Sequence, residues 1–268
     1  MTPLSGAGSR LSERVVVDAV AAPRVVPFDA PWEWLAAGWR DLWRTPGPSL
    51  AYGAVFAGAA ALMAIGFSQY RVHSLFLALA GAFMLVGPFL AVGLYEASRR
   101  TAAGQPVGLG DVARAPFSAR GQLSFFGVLL MLAALAWLQI AFLLLMLFLG
   151  GSAIPPANEF VQLLIFTPRG LGLLIVGSIV GGLIALTVFA VSVVAVPMLL
   201  DRQVDAVSAG RASLAAVAAN PKAMALWAAL IVVMMAAGFA TLLAGLVVAF
   251  PLTGHATWHA YQDIYGKR

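Results

Sequence analysis

Two of the three histidines in this chain, His255 and His259, stand four residues apart in the stretch "AFPLTGHATWHAYQDIYG". That spacing puts both rings on one face of a helix, as a metal or haem site would use them. The residues between them are Ala256, Thr257 and Trp258, so the glutamate of an HExxH zinc protease is missing and that reaction is excluded by residue type. A structural zinc would have to draw further ligands from Glu96 or Asp263, whereas a haem would need one axial histidine. With no cysteine there is no disulfide, thiolate metal site, c-type haem attachment or cysteine nucleophile. The plainer reading makes His255, His259, Trp258, Tyr261 and Tyr265 an interfacial belt where a helix leaves a membrane, with His259 hydrogen-bonded to Glu96. No catalytic group and no metal ligand set is assigned, and His255 and His259 remain the candidate cofactor-binding pair.

The elements that carry these residues follow from composition. Of 268 residues 62% are hydrophobic and 10% charged, with a mean hydropathy of +0.93, far from the roughly 45–50% apolar and 25% charged of globular chains. The charges are clustered, leaving uncharged runs at about 50–68, 74–95, 121–158, 170–200 and 223–262, each long enough to span a bilayer. The stretch from Pro221 to Tyr265 would reach about 66 Å as one helix, roughly twice the hydrocarbon thickness. A hairpin near "MAAGFAT", 235–241, resolves this and gives six spans. With both termini inside, only Arg71 and Arg169 fall in outer segments and the other fourteen of the 16 Lys and Arg lie in inner ones, as the positive-inside rule requires. The basic balance therefore sets orientation in a bacterial inner membrane and does not imply nucleic acid as a partner. His73 falls on the outer side in this arrangement, so no three-histidine site forms within one chain.

The expected organisation is a disordered cytoplasmic tail over 1–28, an amphipathic interfacial helix over 29–46 and a six-span transmembrane domain over 48–266. The first 48 residues carry no apolar signal core, so the first helix is expected to serve as its own targeting signal. In "DAPWEWLAAGWRDLWRTPGP", Trp32, Leu35, Trp39, Leu42 and Trp43 share one side, and Trp32, Trp34, Trp39, Trp43 and Trp258 are the expected interfacial anchors. A second surface helix is expected in "DRQVDAVSAGRASLAAVAANP", with Val204, Val207, Gly210, Leu214 and Val217 on its apolar stripe. The segment "NEFVQLLIF" is placed on the outer surface. Weak internal repetition links "LAAGWRDL" to "VSAGRASL" and "PFLAVGLYEA" to "PLTGHATWHA", pairing Tyr95 with Trp258 and Glu96 with His259. The fold class is thus an all-α polytopic transmembrane bundle of pseudo-repeated hairpins with amphipathic surface helices.

Inside the spans no ionisable group stands near a centre, as an ion-coupled transporter or proton pump would need. Gln139 is the deepest strongly polar side chain and reads as an interhelical hydrogen bonder. Glycines, including "GSIVG" at 177–181, read as close-packing positions, and Pro88, Pro197 and Pro251 as kinks.

The segments "APWEWLAAGWRDLWRTPGPSLAYG", "VPMLLDRQVDAVSAGRASLAAVAANP" and above all "PLTGHATWHAYQDI" resemble a bacterial integral membrane family of unknown function, some of whose members are labelled putative cytochrome c oxidase subunits. The resemblance covers roughly residues 25–266 and implies a multi-span inner-membrane protein with no established activity. Three histidines cannot supply the ligands of a catalytic haem-copper subunit, so the label could mean only an accessory or assembly partner. The leading expectation is a non-enzymatic accessory, assembly or scaffold component of a membrane complex, working with a membrane-protein partner or as a homo-oligomer. The alternatives are a transporter or lipid-handling protein, and a haem- or metal-binding protein through His255 and His259.

Overall fold

The computed structural model describes residues 20–69, 75–117, 121–150 and 157–266. Every regular element among them is an α-helix. Expectations for 1–19, Arg71 and His73 lie outside the described residues.

Helix α1 (Ala30–Arg44) begins with Pro31, whose fixed φ suits a first helical turn. It ends at Thr45, and Pro46 opens α2 (Pro46–Gln69). Then come α3 (Leu75–Leu90), α4 (Val92–Ala102), the short α5 (Leu109–Arg114), α6 (Gly121–Leu149) and α7 (Ala157–Phe166). The rest of the chain forms α8 (Pro168–Ser192), α9 (Ala195–Asp201), α10 (Ala206–Ala219), α11 (Pro221–Ala240) and α12 (Leu246–Tyr265). Pairs α3/α4 and α8/α9 are each one span with a hinge. The hinge at Val193 and Val194 has a direct cause: Pro197 has no N–H for the Val193 carbonyl, and its ring crowds that group. Pro88 sits in the last turn of α3, immediately before the other hinge at Ala91.

Among the described residues, five segments are long and apolar enough to cross a membrane: Pro46–Gly66, Phe76–Ala102, Gly121–Leu149, Pro168–Asp201 and Pro221–Ala240. The chain is an all-α polytopic helical bundle, and α12 departs from the six-span expectation by composition. It has 20 residues, about 30 Å of helix, and folds back along α11. Trp34 touches Trp227 near the start of α11 and Asp263 near the end of α12, so the far end of α12 returns to where α11 began. Its polar residues are not lipid-facing, since every residue from Thr253 to Trp258 is buried among neighbouring helices. Polar groups are tolerated at such depth when protein partners satisfy them.

The hairpin turn lies at 241–245, later than the expected 235–241. Thr241 makes it, its hydroxyl oxygen accepting from the Gly245 amide at 2.9 Å, and Leu242 and Leu243 take positive φ values of 52° and 71°. Gly238 serves packing instead: a Cβ there would lie 2.6 Å from Leu246 Cδ2. Elsewhere Trp137 of α6 is wedged between two glycines, since a Cβ on Gly81 or Gly181 would stand 2.7 or 2.8 Å from its ring. Its Nε1 donates to the Ala78 carbonyl at 2.7 Å, anchoring the middle of the bundle.

Burial is uneven. The membrane windows of α2 and α6 are each only 17% buried, whereas Val92–Ser98 of α4 and Ala195–Leu199 of α9 are buried throughout. The tight core therefore lies at the end holding α1, α4, α9 and α12, and the other end presents apolar side chains outward, as lipid contact requires. The order surface helix, span, returning helix occurs in α1–α2–α3/α4 and again in α10–α11–α12. The returning helices pack on each other, with Gly254 against Leu94.

Three further expectations are corrected. Residues 20–28 are not a disordered tail: the Arg24 amide donates to the Ile264 carbonyl at 3.1 Å and Arg24 Nη2 to the Gln262 carbonyl at 2.7 Å. A helix C-terminus leaves its last carbonyls, here that of Ile264, without intrahelical partners, and the Gln262 carbonyl, which already accepts from the Gly266 amide at 2.8 Å, has a second lone pair for the guanidinium. Asn220 at the α10–α11 corner holds the same strap, accepting from Val26 at 2.8 Å and donating to the Arg24 carbonyl at 2.9 Å. In α10 the buried stripe is Ala206, Ala209, Gly210, Ala212, Ser213 and Ala216, while Val207 and Leu214 face outward; small residues let α10 lie close to the bundle. Among the tryptophans, Trp32, Trp39 and Trp43 are exposed, but Trp34 and Trp258 are core residues, each 2% exposed.

Candidate functional site

The histidine-bearing stretch of α12 passes under α1, and glycine makes the crossing close: a Cβ at Gly38 would stand 2.7 Å from the Ala256 amide nitrogen. This approach brings Asp41 of α1 against the histidine face of α12. Ser49, in the first turn of α2, and Ser98, near the end of α4, complete a buried polar cluster. Ser49, Ser98 and His255 are fully buried and Asp41 is 3% exposed.

The hydrogen bonds form a chain. Ser49 Oγ lies 2.9 Å from His255 Nε2, Ser98 Oγ lies 2.8 Å from His255 Nδ1, and Ser98 Oγ donates to Asp41 Oδ2 at 2.8 Å. One helical turn later, His259 Nε2 donates to the same Asp41 oxygen at 2.7 Å. The carboxylate can only accept. Ser98 has one proton and gives it to Asp41, so His255 Nδ1 must carry the hydrogen that Ser98 accepts. His255 Nε2 is then an acceptor and takes the proton of Ser49. Thr45 closes the cluster, donating to the Asp41 carbonyl and lying 3.1 Å from Ser49 Oγ.

Serine, histidine and carboxylate in this order echo a nucleophile–base–orienter relay. Two features depart from that relay: neither Ser49 nor His255 is on the lining of the two apolar hollows beside α8, and a second serine stands between ring and carboxylate. The arrangement is therefore a clamp that fixes α1, α2, α4 and α12 to one another. It also uses both nitrogens of His255 and one of His259, and among the described residues no group of three or more His, Cys, Asp and Glu is placed to hold a metal. The expected pair of Glu96 and His259 is replaced by other partners. Glu96 is held by Arg99 at 2.8 Å and Arg100 at 2.7 Å, and His259 by Asp41.

Burial acts most strongly on the Asp41 carboxyl and alone would raise its pKa. Hydrogen bonds from His259 and Ser98, with the coulombic attraction of His259 and His255, outweigh it and hold the group below its ordinary value. A depressed carboxyl contributes stability that is fully present above its unfolded value of about 3.9 and is lost as pH falls through the lower folded value. Groups facing it are Ser98 of α4, His255 and His259 of α12, and Arg44 at 3.7 Å on its own helix. Thermal unfolding in detergent is expected to lose stability on acidification below about pH 4, and Asp41→Asn to flatten that loss; an unchanged profile in the variant would assign the transition to other carboxylates.

The expected aromatic belt is buried. Tyr261 donates to Asp201 Oδ2 at 2.7 Å and accepts from Arg202 Nε at 3.0 Å, while the Tyr265 hydroxyl donates to the Ala212 carbonyl at 2.9 Å. Sequence spacing found His255 and His259 but not Asp41, Ser49 and Ser98, which come from three other helices. The one available signal was Gly38 three residues before Asp41, a small residue beside an isolated acid on an otherwise tryptophan-rich helix.

Two hollows lie apart from the cluster. One, of about 330 Å³, is lined by Phe83, Pro88, Tyr95, Phe189, Met235, Phe250 and Thr257 among others. The other, of about 750 Å³, lies against Trp137, Gln139, Leu164 and Phe239. Met84, Leu85, Gly182, Ala185 and Val232 border both. Gln139 thus faces a hollow, and among the described residues it has no hydrogen bond to a neighbouring helix.

Residues 75–201 match the model of a family described as "Predicted integral membrane protein (DUF2189)". That segment holds α3 to α9 and leaves out the histidine stretch. No curated protein and no solved structure matches the chain.

Proposed function

Starting from an integral membrane protein whose matched family has no stated activity, we propose that the chain is a lipid-handling protein that takes up an apolar molecule from the bilayer between α8 and α11. The supporting observation is the pair of adjoining apolar hollows, with no charged residue on either lining. The two helices stand apart there: α8 packs mainly on α3, α6, α7 and α10, and α11 on α12 and α1. Gly182 and Ala185 of α8 face Val232 of α11 across the gap. Interiors are normally close-packed, and an apolar concavity of this size is what a bound ligand fills. Basic residues gathered at the α1 and α10 end support a cytoplasmic placement of that end, in a bacterial inner membrane.

Protein purified in mild detergent is expected to retain about one apolar molecule per chain, seen by native mass spectrometry and solvent extraction. Ala185→Phe, which fills the shared wall, should lower retention about tenfold while leaving thermal unfolding within a few degrees of the parent. Equal retention by parent and variant would overturn the proposal. Recovery of a stoichiometric protein partner with an empty groove would instead favour an accessory component of a membrane complex. The haem or metal alternative has less support, because His255 is occupied at both nitrogens.

A further inference from the structure

The smaller hollow is not uniform along its length. Phe83, Ile231, Met235 and Phe250 line it toward the middle of the bundle, while Tyr95, Ser192, Thr253 and Thr257 lie toward the α1 end. At that polar end three hydroxyls have already given their protons to their own helices. Ser192 donates to the Val188 carbonyl at 2.6 Å, Thr253 to Phe250 at 2.8 Å and Thr257 to Thr253 at 2.7 Å.

Tyr95 differs. The residue is 2% exposed, and among the described residues no hydrogen bond reaches its hydroxyl. Among the described residues the fully enclosed side-chain atoms without a partner are Arg24 Nε and Trp227 Nε1, so the Tyr95 hydroxyl is not fully enclosed, and Tyr95 is on the lining of the hollow. A buried phenol ordinarily has a partner. Here a donor is held free at the one end of an apolar groove where a ligand's polar head would sit.

We infer that Tyr95 is the head-group donor of the groove, and that the ligand is an uncharged single-chain amphiphile with an oxygen acceptor at its head, such as an ester carbonyl. The inference rests on the lipid-handling reading and names the chemistry of that same site. A charged head is disfavoured because no side chain on the lining carries a charge to pair with it. A volume of about 330 Å³ stands near the lower limit of ligand pockets, which suits one chain and a small head.

The probes are hexadecane, methyl palmitate and palmitate, added to full-length protein in detergent, with Tyr95→Phe as the variant. The parent should bind methyl palmitate about tenfold more tightly than either hexadecane or the palmitate anion. Tyr95→Phe should bring methyl palmitate down to the hexadecane level without weakening hexadecane, since only the hydrogen bond is removed. The infrared carbonyl band of bound methyl palmitate, shifted to lower frequency in the parent, should return to its free position in the variant. Equal affinities for ester and alkane, or a preference and band shift that survive in Tyr95→Phe, would overturn the head-group assignment while leaving the groove standing. Failure of the parent to bind any of the three would remove the groove reading together with it.

Discussion

Replacing His255 by alanine is expected to produce the largest loss of stability of any single polar substitution in this chain, roughly 3–5 kcal/mol. The ring is fully buried and both nitrogens are engaged, at 2.9 Å to Ser49 and 2.8 Å to Ser98. Its removal leaves a cavity, takes from Ser49 the acceptor of its proton and from Ser98 the donor it accepts from, and each buried polar group left short of a partner costs about 1–3 kcal/mol. The measurement is a denaturant or thermal titration in a fixed detergent. Ser49→Ala removes one member and should cost about 1–2 kcal/mol. Ser98→Ala should cost more, because Ser98 also donates to Asp41 at 2.8 Å. Coupling between Ser98→Ala and His259→Ala in a double-mutant cycle would show that both act through Asp41. A His255→Ala protein within about 1 kcal/mol of the parent would mean that the cluster is incidental to folding.

How much of this was legible in the sequence depends on where each residue's partners lie. The crossings by α2, α6 and α11 were readable because a lipid environment imposes a run of apolar residues. The hinged pairs α3/α4 and α8/α9 were readable as spans for the same reason, and Pro88 and Pro197 marked their breaks. By contrast α12 has a polar second half, because it is surrounded by protein and not lipid. Hydropathy cannot distinguish that from a helix in water. The spacing of His255 and His259 correctly announced a shared face, but the natural candidates for a partner were residues on repeat-related helices, hence Glu96. The geometry gives Glu96 to Arg99 and Arg100, three and four residues further along its own helix, where pairing needs no tertiary contact. Asp41 was hidden by its neighbours: Trp39, Arg40, Trp43 and Arg44 are what an interfacial helix shows, and nothing in that string says which residue turns inward.

The second large effect is expected from Gly38→Val, and it links the clamp to the groove. A Cβ at position 38 would lie 2.7 Å from the nitrogen, 2.9 Å from the Cα and 2.9 Å from the Cβ of Ala256. Two of these are backbone atoms in the buried Thr253–Trp258 stretch of α12, so the strain cannot be relieved by turning a side chain and α1 must lift. Overpacking of this kind costs about 1–3 kcal/mol, and lifting α1 would also separate Asp41 from Ser98 and His259, now at 2.8 and 2.7 Å. The combined loss should approach that of His255→Ala, and limited proteolysis should cut near Thr45, which is protected while α1 is docked. The same helix α12 turns His255 and His259 toward α1, α2 and α4, and Thr253, Gly254 and Thr257 toward the hollow. A displaced α1 therefore loosens one wall of the groove without touching its lining. Gly38→Val should lower retention of an apolar ligand, but less than Ala185→Phe does, and Gly38→Ala should fall between Gly38→Val and the parent in both stability and retention. Unchanged stability in Gly38→Val would show that α1 is an ornament of the membrane surface and not the lid that holds α12 in place.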